Sequence, residues 1–260
     1  MRDKLRVLAA VLLLLALCLS ACSVPEEETR PTAPRNTRPE ESFTLDAKGR
    51  PTYPGAVLGV DVSSHQGEID WEKARADGVS FAILRIGFRG NTVGGLNVDG
   101  SFARNYVDAR NAGLSVGAYF YSQATSEEEA KEEAAYVLKQ LDGVPLELPV
   151  FFDWEEVFDG RTGGKATAQV GEWSLAFCQA IEAGGYKAGV YFNQQYGYSI
   201  MHLENLTDYA FWIAEYKDSQ SFGYQADFWQ FTGQGDVDGI DVIVDMNLMY
   251  APEVEREKDS

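Results

Sequence analysis

Cysteine, histidine and basic residues are all in short supply in this chain of 260 residues. It holds three cysteines, two histidines, and 22 lysines and arginines against 40 aspartates and glutamates. With so few cysteines, no disulfide framework can be drawn, and no Cys/His cluster has the spacing of zinc ligands. Neither a metal nor a cofactor is therefore expected. A formal charge of −18 makes nucleic acid and anionic lipid surfaces poor partners, since both reward clustered cations. Long apolar runs are missing too. The longest, Val7 to Leu19, falls short of the roughly 20 residues needed to span a bilayer. There is no repeat of the 20–50-residue solenoid type.

Several of these absences are resolved at the N-terminus. Arg2, Lys4 and Arg6 precede the apolar run, which closes as Leu19-Ser20-Ala21-Cys22. This resembles a bacterial lipoprotein signal, cleaved before a cysteine that is then acylated. Residues 1–21 are thus expected to be a signal peptide and Cys22 a lipidation site. The protein would lie outside the cytoplasm, anchored in the bacterial cell membrane. Cys178, in an apolar stretch, then remains alone and reads as a small buried hydrophobe. A Ser-His or Cys-His nucleophile built on His65 has no support nearby. Residues 22–54 are rich in proline and charge and poor in aliphatic side chains, so they are expected to form a disordered tether. A folded domain is expected over 55–252 and a polar tail over 253–260. With 45% hydrophobic and 12% aromatic residues, the chain can bury one sizeable core.

Within the domain, short apolar strands alternate with helical stretches. Strands are expected at Val57–Asp61, Phe81–Ile86, Ser115–Tyr121, Val150–Asp153 and Lys187–Tyr191. Helices are expected at Trp71–Asp77 and Phe102–Ala112, with a glycine-rich loop (Gly87 to Gly100) ahead of the second. A third should open at a Ser126-Glu-Glu-Glu129 capping box and run to Leu141, and a fourth, capped by Thr167, to Ala183. After a weak helix near Tyr198–Asn205, three more strands follow with only loops between: Tyr209–Ala214, Asp227–Phe231 and Asp241–Met246. Eight strands, the early ones separated by helices, argue for an α/β fold, a parallel barrel missing its last helices. An open doubly wound sheet is the alternative.

Barrel chemistry gathers at the C-terminal ends of the strands. Those ends read Asp61, Arg85, Tyr119 and Tyr121, Asp153 and Glu155, Tyr191, Trp212, Gln230 and Asp245. The sharpest signal is Pro149-Val-Phe-Phe-Asp-Trp-Glu155. Strand alternation puts Asp153 and Glu155 on one face and Phe152 and Trp154 on the other. The two carboxylates then stand roughly 6.6 Å apart at Cα, close enough to flank one glycosidic bond and to push their pKa values apart. Aromatic faces suit stacking on sugar rings.

The chain resembles glycoside hydrolase family 25, the bacterial and phage N-acetylmuramidases often called lysozymes. The resemblance rests on Gly59-Val-Asp-Val-Ser-Ser-His-Gln-Gly67, Ile69-Asp-Trp71, Phe81-Ala-Ile-Leu-Arg85 and Gly117-Ala-Tyr-Phe-Tyr-Ser122. It continues through Pro149 to Glu155, Trp212-Ile-Ala-Glu-Tyr216, Trp229-Gln230 and Val244-Asp-Met-Asn247. It implies a modified TIM-like barrel, (β/α)5(β)3, and cleavage of the β-1,4 bond between N-acetylmuramic acid and N-acetylglucosamine in peptidoglycan glycan strands. It also implies Glu155 as catalytic acid, with Asp153, Asp61 and Asp245 lining the cleft. Arg85, Tyr119, Tyr121, Tyr191, Trp212, Tyr216 and Gln230 are the expected substrate contacts, in a protein acting as a monomer. Asp153 is expected to orient the substrate's own acetamido group. The family's wall-binding repeats do not follow residue 250, and a lipid tether is expected in their place. A non-catalytic glycan-binding lipoprotein of the same fold is the competing reading. The loop Asp236-Val-Asp238-Gly239 does not fit a calcium-binding EF-hand register.

Overall fold

The computed structural model describes residues 32–251. The expected signal peptide, Cys22, the first part of the expected tether and the expected polar tail lie outside the described residues. Eleven strands are present among those described: β1 (Thr44–Leu45), β2 (Pro51–Thr52), β3 (Val57–Val62), β4 (Val79–Arg89), β5 (Leu96–Val98), β6 (Ser115–Ser122), β7 (Val150–Trp154), β8 (Ala188–Asn193), β9 (Ala210–Ala214), β10 (Phe228–Gly235) and β11 (Val244–Met249). The α-helices are α1 (Trp71–Ala76), α2 (Phe102–Asn111), α3 (Glu127–Leu141), α4 (Gln169–Ala183) and α5 (Gln194–Ser199).

Eight strands close into a barrel in the order β3-β11-β10-β9-β8-β7-β6-β4, sealed by β4 pairing with β3. The open-sheet alternative is thereby excluded. Seven strands run parallel, but β11 is antiparallel to both β10 and β3. This corrects the wholly parallel reading. The loop from β10 to β11 carries no helix, so the chain turns straight back, as a short connection between neighbouring strands requires.

The barrel has two separate apolar cores, and strand alternation assigns residues to them. Phe81, Ile83, Phe151, Trp212 and Phe228 fill the interior. Small residues make room for the rings there: a Cβ on Gly59 would stand 2.4 Å from Phe81, and one on Gly189 2.5 Å from Phe151. Residues of opposite parity form the outer core under the helices. Phe152 packs on Phe177 of α4, and Trp154 on Trp173. Phe152 and Trp154 therefore support the strand from outside.

Local signals mostly hold, with instructive exceptions. Ser126 Oγ accepts from Glu129 N at 3.3 Å. The reciprocal half of the capping box is displaced by one residue, since Glu129 Oε2 accepts from Thr125 N instead. Thr167 does not cap α4, whose N-cap is Ala168 with no side-chain bond. The glycine-rich stretch is not all loop: β4 runs on to Arg89 and pairs with β5 as a hairpin. The weak helix near Tyr198 divides into α5 and a 3-10 turn, Leu203–Asn205.

The expected tether is corrected over residues 32–54. Its few aromatics and cations do the packing that aliphatic residues do elsewhere. Phe43 meets Trp229 edge-on at 5.4 Å, and Tyr53 meets Tyr250 at 5.6 Å. Arg35 and Arg38 lie over the rings of Tyr224 and Tyr250 at 4.7 and 3.8 Å, a contact favourable through the ring quadrupole. Arg50 bonds Asp46 and Asp77, joining the β1–β2 hairpin to the end of α1. The segment is part of the folded unit.

Candidate functional site

The interior core stops short of the strands' upper ends, and each inward position above it carries a polar or aromatic group. Ile83 is followed two residues on by Arg85, Phe151 by Asp153, Phe228 by Gln230 and Gly59 by Asp61. Strand register aligns several of these in one layer. Tyr121 pairs with Asp153, Asp153 with Tyr191, and Tyr191 with Trp212. The result is a cleft of about 250 Å³ lined by Asp61, Ser63, His65, Gln66, Arg85, Tyr119, Tyr121, Asp153, Glu155, Tyr191, Trp212, Tyr216, Gln230 and Asp245. All eleven expected cleft residues are brought together. Asp245 arrives by an unexpected route: it stands near the start of β11, not at a strand's C-terminal end, because β11 runs backwards.

Asp61 is the best-anchored carboxylate. Its Oδ2 accepts from Gln230 Nε2 at 2.9 Å and from Asn247 Nδ2 at 2.8 Å. Gln230 Oε1 in turn accepts from the hydroxyls of Tyr191 and Tyr216 at 2.9 and 3.1 Å. Asn247 Oδ1 accepts from Trp212 Nε1 at 2.8 Å. Two amides thus relay donors from three aromatics onto one oxygen. The geometry also fixes which way each amide points. Burial, and then the charge of Asp245 facing it, push the Asp61 pKa up to about 8, against the two amide bonds.

The other three carboxyls are also raised. Asp153 is only 7% exposed, and burial followed by the charges of Glu155, Asp61 and Asp245 holds its pKa well above the ordinary value, with Arg85 opposing. Its Oδ1 is buried without a hydrogen-bond partner. Glu155 is raised by protein crowding and then by Asp245, although its surface stays open to solvent along the cleft. Asp245, half-buried, is raised by burial. Four acids in one cleft cannot all ionise cheaply, so the group holds protons at a pH where free carboxylates have none.

Among the described residues, Arg85 is the one cation lining the cleft, and Asp99 sets its direction. Asp99 Oδ2 accepts from Arg85 Nε at 2.8 Å and pairs with Nη2 at 2.8 Å. The same oxygen accepts from Ser64 N at 3.1 Å, which ties Arg85 to the turn after β3. Tyr216, 59% exposed, presents its ring at the rim. His65 also lines the cleft, but Cys178 is on the buried face of α4 with its thiol on Gly189 O of β8, outside the cleft, so the two cannot form a nucleophilic pair. Asn247 and Asp99 were not singled out as site residues from sequence. Asn247 could have been found, because it shares a strand face with Asp245 two residues earlier. Asp99 gave no such signal, since it lies beyond β5 in a stretch read as loop.

The comparisons with known proteins point the same way. A family model described as "Glycosyl hydrolases family 25" matches residues 60–240. The chain is 30% identical over 226 residues to the uncharacterized protein YegX of Escherichia coli O157:H7, covering 85% of this chain and 78% of that one. It is 28% identical over 212 residues to lysozyme M1 of Streptomyces globisporus, covering 76% and 69%. Among solved structures it is similar in fold to the modular autolysin LytC of Streptococcus pneumoniae, solved with a synthetic peptidoglycan ligand. The TM-score is 0.68 at 20% identity, over 84% of this chain and 52% of LytC. The chain thus spans about half the length of that autolysin.

Proposed function

Because this chain belongs to the glycosyl hydrolases of family 25, we propose that it hydrolyses peptidoglycan as an N-acetylmuramidase. The bond cleaved is the β-1,4 link between N-acetylmuramic acid and N-acetylglucosamine. The observation that carries this reading is the convergence of four carboxyls with raised pKa on one aromatic-walled cleft. A glycosidic oxygen leaves only when protonated, so one carboxyl must hold a proton at working pH.

Glu155 is the general acid. Its longer side chain stands beyond the end of β7, at the open side of the cleft, and gives its proton to the leaving oxygen as the C–O bond breaks. The acetamido oxygen of the muramyl sugar closes on C1 as that bond breaks. With the proton of the pair on Glu155, Asp153 is the carboxylate that accepts the acetamide N–H, and its unpartnered Oδ1 is free to do so. Water then opens the ring and returns a proton to Glu155. Burial and the charge of Asp245 raise the acid's pKa, while Arg85 offsets charge at Asp153. The rings of Tyr121, Tyr191 and Tyr216 offer stacking faces and hydroxyls to the sugars.

We place the protein outside the cytoplasm, held to the cell membrane by a lipid on Cys22 and acting as a monomer. The basic-apolar-cysteine pattern of residues 1–22 supports the anchor, and Cys22→Ser should move the protein out of the membrane fraction. The function is tested with purified protein on isolated peptidoglycan, followed by muropeptide mass analysis. New reducing ends on N-acetylmuramic acid, lost in Glu155→Gln, are expected. Binding to the wall without new reducing ends would instead establish a glycan-binding lipoprotein.

A further inference from the structure

Beyond the cleft, the backbone that carries Glu155 is gripped by side chains that never reach the cavity. β6 ends at Ser122, and the next two residues turn across the top of β7. Ala124 O accepts from Trp154 Nε1 at 2.9 Å. Gln123 Nε2 donates to the carbonyl oxygen of Glu155 at 2.7 Å. Thr162, from the loop after β7, completes the clasp. Its hydroxyl proton is shared between Gln123 Oε1 at 2.9 Å and Glu155 O at 3.2 Å, and its oxygen accepts from Val157 N at 2.8 Å. Gln123 and Thr162 are both fully buried.

The clasp is itself anchored. Ser122 Oγ donates to Glu133 Oε2 at 2.6 Å and accepts from Ala124 N at 3.1 Å. Glu133 of α3 is held by Arg89 Nε at 2.7 Å. Glu155 lies one residue past the last strand pairing of β7, so the sheet does not fix its backbone. Without this clasp the acid would swing on a loop.

We propose that Gln123 and Thr162 are positioning residues for Glu155, setting where its carboxyl stands among the other acids of the cleft. The catalytic part of this rests on the muramidase reading, because only that reaction makes the placement of Glu155 matter for rate. Misplacing a reacting group by about 1 Å costs on the order of 100-fold in rate. Gln123→Met and Thr162→Val keep volume but remove the bonds, whereas Thr162→Ser keeps the hydroxyl.

The test has two arms, both read only on variants that keep cooperative unfolding and native circular dichroism. The first needs no substrate: the Glu155 carboxyl is titrated by carbon-13 NMR, its resonance assigned by its loss in Glu155→Gln. Gln123→Met and Thr162→Val should lower its pKa toward that of a free glutamate as the carboxyl moves out of the crowded cleft and away from the Asp245 charge, and Thr162→Ser should leave it unchanged. The second arm measures kcat and KM on peptidoglycan. A fall in kcat of roughly 10- to 100-fold with KM held is expected, and it should vanish in a Glu155→Gln background. An unmoved Glu155 titration in both folded variants overturns the proposal, as does an equal rate loss with Glu155 already removed. Wild-type protein inactive on peptidoglycan would remove the muramidase reading, while the titration arm would still decide the placement.

Discussion

Asp61 on β3 and Asp245 on β11 stand directly opposite each other across an antiparallel seam of the barrel. In such a pair the Cβ atoms lie about 5 Å apart, and like charges there are destabilising. The charge of Asp245 accordingly helps to raise the Asp61 pKa.

Asp61→Asn should therefore stabilise the fold at neutral pH while lowering activity. The Asp61 pKa rises from 3.8 to about 8 on folding. A raised carboxyl gives stability that is fully present below the unfolded value and is lost as pH rises through the folded one. Thermal midpoints of wild type should fall between about pH 4 and pH 8, and those of Asp61→Asn should fall less. Parallel curves for the two proteins would show that Asp61 is ionised throughout.

Asp245→Asn should move the alkaline limb of the rate profile to lower pH. The charge of Asp245 helps to raise Glu155, and the acid works only while protonated. Removing that charge lets Glu155 lose its proton sooner as pH rises. The kcat–pH profile checks this, and an alkaline limb that stays put would separate Asp245 from the acid.

Glu155→Gln should lose far more activity on peptidoglycan than on an aryl glycoside whose leaving group needs no proton. Removing a general acid costs about 100- to 10,000-fold where protonation is required. Asp153→Asn should be impaired on both substrates, because in the proposed mechanism it holds the acetamido group. Equal losses for Glu155→Gln on the two substrates would reverse the roles.

Asp99→Ala should weaken substrate binding and stability together. It frees Arg85 and leaves the Ser64 and Ser101 amides without their acceptor. Losing bonds to a buried carboxylate costs about 3 kcal/mol. Denaturant midpoints and KM should both shift, with KM rising because Arg85 no longer faces the cleft in one pose.

Phe43→Ala should destabilise the barrel by about 2 kcal/mol, less than a fully buried phenylalanine because Phe43 is half-buried. It loses its contacts with Tyr53 and Trp229. A change within 0.5 kcal/mol would mean that residues 32–54 pack without contributing.

Sequence determined the eight barrel strands, the last of them placed three residues early, and the inward parity of the site. The alternation of Phe151, Asp153 and Glu155 against Phe152 and Trp154 follows from backbone geometry alone, and it separated cleft from outer core. It misjudged residues 32–54, because low aliphatic content was read as an inability to fold. Phe43, Tyr53, Arg35 and Arg38 pack through rings and charge instead, against residues 186 to 212 positions away. Tertiary structure alone decided three things. It reversed β11 and so set Asp245 against Asp61. It joined Trp212, Asn247, Tyr191, Tyr216 and Gln230 into relays ending on Asp61 Oδ2. It closed Gln123 and Thr162 over the carbonyl of Glu155. Each depends on contacts between strands and loops distant in the chain, and local patterns of side chains carry no record of which distant partner will arrive.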